Sequence, residues 1–196
     1  MKLDAPNLCN SVVRLSLLSE ADRAPLADAG GIEAMWNWMP VIPTGTNYDS
    51  YFDFMLEMAR RGEIFPFTIR QVSDDAFAGV IGFLNISRTH RRLRIGYVWH
   101  PEEFRGTAIA PATQMAMLER AKASRMRRVE YLLASDNERA IQAVLKLGAT
   151  KEGVLRQYLR LADGGWADMT VLSLVDGEIN AAISLLQDRV AELQLA

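Results

Sequence analysis

Apolar Val13, Leu15 and Leu17 alternate with polar Arg14 and Ser16, the period-two pattern of a half-buried strand. Ser19 stands before Glu20 as a helix N-cap, and the helix it opens is expected to end near Gly30-Gly31. An aromatic stretch with Trp36 and Trp38 follows and stops at Pro40. Asn47 or Asp49 opens a second helix, containing Tyr51, Phe52, Phe54, Met55 and Met58 and closed by Gly62. Three apolar runs, 64–71, 77–86 and 93–99, lie close together between polar turns, so an antiparallel meander is expected. Ala108, Ala112, Met115 and Leu118 then recur at three- and four-residue spacing, which predicts a helix. A strand over 127–134 and a helix over 138–147, stopped by Gly148, come next. Strands 154–161 and 166–175 flank Asp163-Gly164-Gly165, a hairpin signal. Ile179, Ala182, Ile183, Leu186, Val190 and Leu193 form one face of a C-terminal helix.

No internal repeat, low-complexity tract or linker interrupts this order. The expectation is one mixed α/β domain over 1–196, with a core at 12–176 and a terminal helix at 177–195. Composition narrows the chemistry. With 49% hydrophobic residues and a net charge of −2, the chain resembles neither a disordered tail nor a basic nucleic-acid binder. A single cysteine, Cys9, leaves no intramolecular disulfide and no cysteine zinc cage. The two histidines, His90 and His100, form no His-Glu-x-x-His motif, so no metal site is expected. The first residues lack the apolar run of a signal peptide, and no stretch of about 18 apolar residues occurs. A soluble, cytoplasmic protein is the expectation.

The informative segment runs from Leu93 to Ala112: a strand, then His100-Pro101-Glu102-Glu103-Phe104, then Arg105-Gly106-Thr107-Ala108-Ile109-Ala110, then a helix. Small residues allow close approach of the backbone to a ligand. The first N–H groups of a helix have no intrahelical partner and carry the positive end of its dipole, which suits a pyrophosphate. A strand–turn–helix connection with small residues for packing alone is the competing reading. Neither a Walker loop nor a Gly-x-Gly-x-x-Gly fingerprint is present, which argues against nucleotide triphosphatases and Rossmann oxidoreductases.

The run Ile95-Gly96-Tyr97-Val98-Trp99-His100-Pro101, followed by Arg105-Gly106-Thr107-Ala108, resembles the acyl-CoA loop of GNAT-superfamily N-acetyltransferases. The likeness is strongest to the branch containing the ribosomal-protein N-terminal acetyltransferases. Downstream, Arg128-Val129-Glu130, Asn137-Glu138-Arg139-Ala140, Lys146-Leu147-Gly148-Ala149 and Glu152-Gly153-Val154-Leu155-Arg156 are similar as well, in order, as is Gly165-Trp166-Ala167-Asp168. The resemblance covers about residues 12–180. It implies a central, mostly antiparallel twisted sheet with two splayed parallel strands and helices on both faces.

It further implies that acetyl-CoA is the co-substrate, its pantetheine arm lying between strand 97–99 and strand 128–133 and pairing with the backbone of Tyr97, Val98 and Trp99. Backbone donors of Arg105, Gly106, Thr107, Ala108, Ile109 and Ala110 would hold the pyrophosphate. Ala108 stands where the family has its first Gly; a methyl is tolerated there if φ is negative. Asn137 matches a residue that bonds the pantetheine or orders water, and is equally a plausible helix N-cap, as are Ser135 and Asp136. Lys146 reads either as a contact of the 3′-phosphate or as a solvated helix-end cation.

An attacking amine must lose a proton, which asks for a carboxylate or a water relay. Three family positions depart: Arg94 replaces a frequent Glu, Ala140 a Ser and Val144 a Tyr. Glu130 is the remaining candidate base, weighed against an ion pair with Arg127 or Arg128, and Asp168 is a weaker one. The basic run Arg88, His90, Arg91, Arg92 and Arg94 reads as a solvated turn, or as an attractor of acidic substrates beside the acceptor mouth. With Arg125, Arg127 and Arg128 it is expected to flank the CoA site. Trp36, Trp38, Tyr48, Tyr51 and Phe52 read as core packing or as one wall of the acceptor pocket. The resulting expectation is acetyl transfer from acetyl-CoA to a primary amine, of a peptide N-terminus or a small molecule, by a monomer or homodimer without membrane or nucleic-acid partners. Its alternatives are a non-catalytic acyl-CoA-binding module and an amine-detoxifying acetyltransferase.

Overall fold

Eight strands pair into one continuous sheet in the order β1-β2-β3-β4-β5-β6-β8-β7 in the computed structural model, which describes residues 3–4, 7–29, 40–45 and 47–195. The strands are β1 (Asn7–Cys9), β2 (Val13–Leu17), β3 (Phe65–Gln71), β4 (Phe77–Ser87), β5 (Arg92–Trp99), β6 (Arg128–Ala134), β7 (Thr150–Arg160) and β8 (Trp166–Val175). The helices are α1 (Arg23–Asp28), α2 (Tyr48–Arg60), α3 (Ile109–Ala123), α4 (Glu138–Leu145) and α5 (Gly177–Leu195). Every neighbouring pair is antiparallel except β5 and β6.

Alternation of side chains divides the molecule into two layers around the sheet. Leu15, Phe67, Ile81, Phe83, Leu93, Ile95, Val129, Tyr131, Leu172 and Leu174 join α3, α4 and α5 in the principal core. The opposite face of β3–β5 carries α1 and α2, where Leu26, Phe52, Met55 and Val80 pack with Tyr97 and Trp99. Among the described residues no helix is long and apolar enough to cross a membrane.

Local chemistry explains the helix starts. The Asn47 side chain accepts the Ser50 N–H, so Asn47 rather than Asp49 caps α2. Ser19 donates through its N–H (3.0 Å) and hydroxyl (2.9 Å) to Asp22, which tightens the first turn into a 3-10 helix over Glu20–Asp22 before α1 begins. The expected end of that helix at Gly30-Gly31, and Trp36 and Trp38, lie outside the described residues.

One strand is added and two boundaries move by two residues or more. The edge strand β1 has only three residues, too few to show a period in the sequence. The helix expected over 138–147 ends at Leu145 with Lys146 as C-cap, and Gly148 then takes φ +85°. Strand β7 begins at Thr150 rather than Val154. It is the sheet's edge and nearly all its residues are exposed, so hydrophobic patterning does not mark its start.

Candidate functional site

The parallel pair is short. β5 and β6 are in register at only three positions, Arg92 with Arg128, Leu93 with Val129 and Arg94 with Glu130. Beyond these the two strands diverge, so among the described residues the facing main-chain edges of β5 after Arg94 and of β6 after Glu130 have no strand partner. A V-shaped slot results, closed at Arg94 and open toward Trp99 and Ala134.

A bulge shapes one wall of the slot. On the β4 side, Gly82 pairs with Gly96 but Val80 pairs with Trp99, so β5 carries one extra residue between these points. Tyr97 absorbs it in the left-handed region, at φ +53°. Tyr97 packs against the cluster of Ile42 and Tyr51, and burial raises its phenol pKa above the ordinary value. Burial likewise pushes Tyr51 up to about 12. Val98, next along, is exposed. Gly79 faces the bulge from β4 at φ +126°; a Cβ there would lie 2.0 Å from the Trp99 carbonyl oxygen.

After β5, a 3-10 turn over Glu102–Phe104 leads into the loop before α3. Gly106 has φ +82°, the loop position that requires glycine, while Ala108 has φ −66° and carries its methyl without strain. Ala108 is the N-cap of α3, so Pro111 falls in the first turn, where a missing N–H breaks no helix bond. The Thr107 hydroxyl donates to the Phe104 carbonyl (2.7 Å) and accepts the Ile109 N–H (3.3 Å). The N–H groups of Gly106, Ala108 and Ala110 have no protein partner among the described residues. With the helix dipole behind them, these donors fit a pyrophosphate. The loop is held from two sides. Arg105 Nε donates to the His100 carbonyl (3.2 Å), and Asn10 Nδ2 donates to the Ala112 carbonyl (2.9 Å) in the first turn of α3. Asn10 lies between β1 and β2, and its Oδ1 accepts the N–H groups of Val12 and Val13. Asn10 was not among the residues the sequence singles out; a polar residue in a turn signals only the turn.

Asn137 caps α4, its Oδ1 accepting the Ala140 N–H at 3.1 Å. Its Nδ2 has no protein partner among the described residues, so the cap leaves a donor available. Ser135 is engaged elsewhere, in a hydroxyl pair with Thr170 (2.9 Å). Lys146 is exposed at the C-terminus of α4.

Glu130 sits at the closed end of the slot, with its side chain 12% exposed. Arg128 Nε donates to it at 2.7 Å, and Arg94 and Arg92 stand 3.7 and 3.9 Å away. Arg127, the other partner considered, pairs instead with Asp176. The Arg128 fork also grips Glu152 through two 2.6 Å bonds, and the Ser173 hydroxyl donates to Glu152 at 2.7 Å. The guanidinium and the hydroxyl hold the Glu152 carboxyl at about 2. Asp168 lies on β8, where its carboxylate accepts the Gln157 N–H (2.7 Å) inside a wide bulge of β7. That bulge, with Gln157 at φ +46°, borders a recess of about 670 Å³ lined by Val154, Leu155, Arg156, Gln157, Tyr158 and Asp168.

One placement is corrected. The turn carrying Arg88, His90 and Arg91, and the segment with Arg125 and Arg127, do not flank the loop at 105–110. Both stand at the closed end, where the Arg127 N–H bonds the Arg91 carbonyl (2.7 Å). The loop lies at the other end of the 15-residue α3, roughly 22 Å away. Strand direction is the reason: β5 and α3 run antiparallel to each other, so residues flanking them in sequence are separated by their full length.

Residues 13–150 match the model of the acetyltransferase (GNAT) domain family. A Bacillus subtilis protein described as an uncharacterized N-acetyltransferase, YoaA, is 35% identical over 97 residues, 50% of this chain and 54% of that protein. The match thus spans about half the length of that relative. Mycobacterium smegmatis RimJ, solved in complex with CoA-disulfide, superposes with a TM-score of 0.77 at 22% identity, covering 94% of this chain and 93% of the other. Spermidine N-acetyltransferase from Vibrio cholerae, solved with CoA and spermine, gives 0.72 at 14% identity over 87% and 99%. These two likenesses concern the fold.

Proposed function

The chain belongs to the GNAT acetyltransferase family, and from that membership we propose that it transfers the acetyl group of acetyl-CoA to a primary amine. The observation that carries the proposal is the slot between β5 and β6, opening beside a loop whose Gly106, Ala108 and Ala110 N–H groups have no partner among the described residues. The pantetheine amides take the place of the missing strand partner along Tyr97, Val98 and Trp99. The pyrophosphate takes the donors of the 105–110 loop, from Arg105 to Ala110, and Asn137 Nδ2 reaches the arm from the β6 side.

The amine nitrogen attacks the thioester carbonyl carbon and a C–N bond forms. The C–S bond then breaks, the nitrogen gives up one proton, and the CoA thiolate takes one, leaving an amide and free CoA. Main-chain donors at the Tyr97 bulge stabilise the oxyanion. Thiolate is a good leaving group, so the blank positions Ala140 and Val144 remove little. We assign the proton to water held by main-chain groups, because Glu130 and Asp168 are both committed to structural partners.

The acceptor class is a peptide N-terminus or a small amine, the latter including detoxification of a free amine. A thiol-release assay with acetyl-CoA against panels of both, beside calorimetric titration with CoA, tests this. Micromolar CoA binding with turnover on one panel is expected; no binding at millimolar CoA overturns it. A second reading, an acyl-CoA-binding module without turnover, draws on the reversed charge at Arg94 and the ion-paired state of Glu130. It predicts CoA binding with no amine acetylated.

A further inference from the structure

Two features meet at the end of β5. The strand reaches Trp99 one residue out of step with its start, and the loop at 105–110 grows from that displaced end. A bulge leaves its extra residue unpaired and the ladder locally disrupted, so the pairs on either side of it set the register. On the closed side, Gly96, Ile95 and Arg94 pair in register with Gly82, Phe83 and Leu84 of β4. On the open side the ladder offers one pair, Val80 with Trp99, and then ends.

His100 supplies the next link. Its Nδ1 lies 2.8 Å from the Ala78 carbonyl oxygen on β4. A carbonyl only accepts, so Nδ1 carries the proton and the ring is held in one tautomer. The main chain of the same residue faces forward, its carbonyl accepting from Arg105 Nε. His100 therefore ties β4 through its side chain and the loop through its backbone. Gly79, the neighbour of Ala78 on β4, has no room for a side chain against the Trp99 carbonyl.

We infer that His100 is a positioning residue for acyl-CoA binding, pinning the displaced end of β5 to β4 so that the 105–110 loop keeps its donors in place. The inference rests on the acetyltransferase reading. The His100 ring bonds toward β4, whereas the slot lies on the other side of β5, between β5 and β6, so His100 is assigned no contact with the reacting atoms. Without the Ala78 bond the strand end slips back toward regular register, and the loop that follows moves with it.

Substitution separates this role from general packing. An asparagine places Nδ2 near the position of His Nδ1, whereas a glutamine places its donor one atom further out. Relative to wild type, His100→Ala is expected to weaken CoA about tenfold by calorimetric titration and to raise KM for acetyl-CoA similarly. At saturating acetyl-CoA, kcat stays within about twofold. His100→Asn recovers CoA affinity to within about threefold of wild type, and His100→Gln does not. If His100→Ala fails to fold, the Asn–Gln comparison decides alone. Equal CoA affinity in all three variants, or an affinity order that follows thermal stability rather than donor position, overturns the inference. Absence of CoA binding by the wild-type chain overturns the acetyltransferase reading and this one with it.

Discussion

Glu130 shows how little a residue's identity says about its role until its partners are known. Alternation places it on the face of β6 that borders the slot, which suits a base. The same alternation places Arg94 directly across the parallel pair, and Arg128 two residues back along its own strand. A carboxylate bonded to Arg128, with two further guanidinium groups within 4 Å, has its oxygens turned to structural partners rather than to an incoming amine. Arg94 is then the complement of Glu130 across the closed end rather than a lost catalytic Glu. Glu130→Gln is expected to leave the pH dependence of kcat unchanged while lowering stability by about 1–3 kcal/mol, the worth of a charge-assisted bond in a partly buried site. Thermal unfolding and a pH–rate profile measure both; a kcat that falls at least a hundredfold and loses its alkaline rise restores Glu130 as the base.

Helix α4 separates a second pair of overlapping roles. Asn137 Oδ1 is spent on the Ala140 N–H, and only Nδ2 remains for a ligand. Asn137→Asp keeps the acceptor and removes the donor, so thermal stability should hold while CoA affinity falls about threefold to tenfold. Asn137→Ala removes both and is expected to cost about 1 kcal/mol of stability in addition. Titration calorimetry beside thermal unfolding reads the two effects separately, and unchanged CoA affinity in Asn137→Asp would leave only the cap. The elements themselves were largely legible, because β2, α2, α4 and α5 bury a periodic face, while β3 and β4, covered on both sides, read as continuous apolar runs. What patterning missed has a common cause. The strand β1 is too short to repeat, and the exposed edge strand β7 has no buried face to display. The bulge at Tyr97 is likewise invisible, since one extra residue looks like one more apolar position. The tie from Asn10 to Ala112 joins residues 102 apart, and no local spacing encodes it.

Across the whole molecule, charge is arranged by strand direction rather than by sequence proximity. Arg94, Glu130, Arg128, Ser173 and Glu152 come from β5, β6, β8 and β7, and together they lace the closed end of the slot. Glu152 titrates at about 2 in the folded chain, below its ordinary 4.5. A depressed carboxylate contributes stability above pH 4.5, and that contribution is lost as the pH falls from 4.5 toward 2. Glu152→Gln should therefore be less stable than wild type at neutral pH, with the gap closing over that window in denaturant titrations; a gap independent of pH would show that the pairing carries no net stability. The turn at Arg88 and Arg91 shares this end and stands roughly 22 Å, the length of α3, from the loop. That exceeds the Debye length of about 8 Å at physiological ionic strength, so its field at the loop is screened. Arg105, by contrast, is part of the loop. The double substitution Arg88→Ala with Arg91→Ala should leave KM for acetyl-CoA within about twofold of wild type, whereas Arg105→Ala raises it at least fivefold. A comparable rise in both would mean that the anionic co-substrate is drawn in by the distant turn, and that position along the fold matters less than total charge.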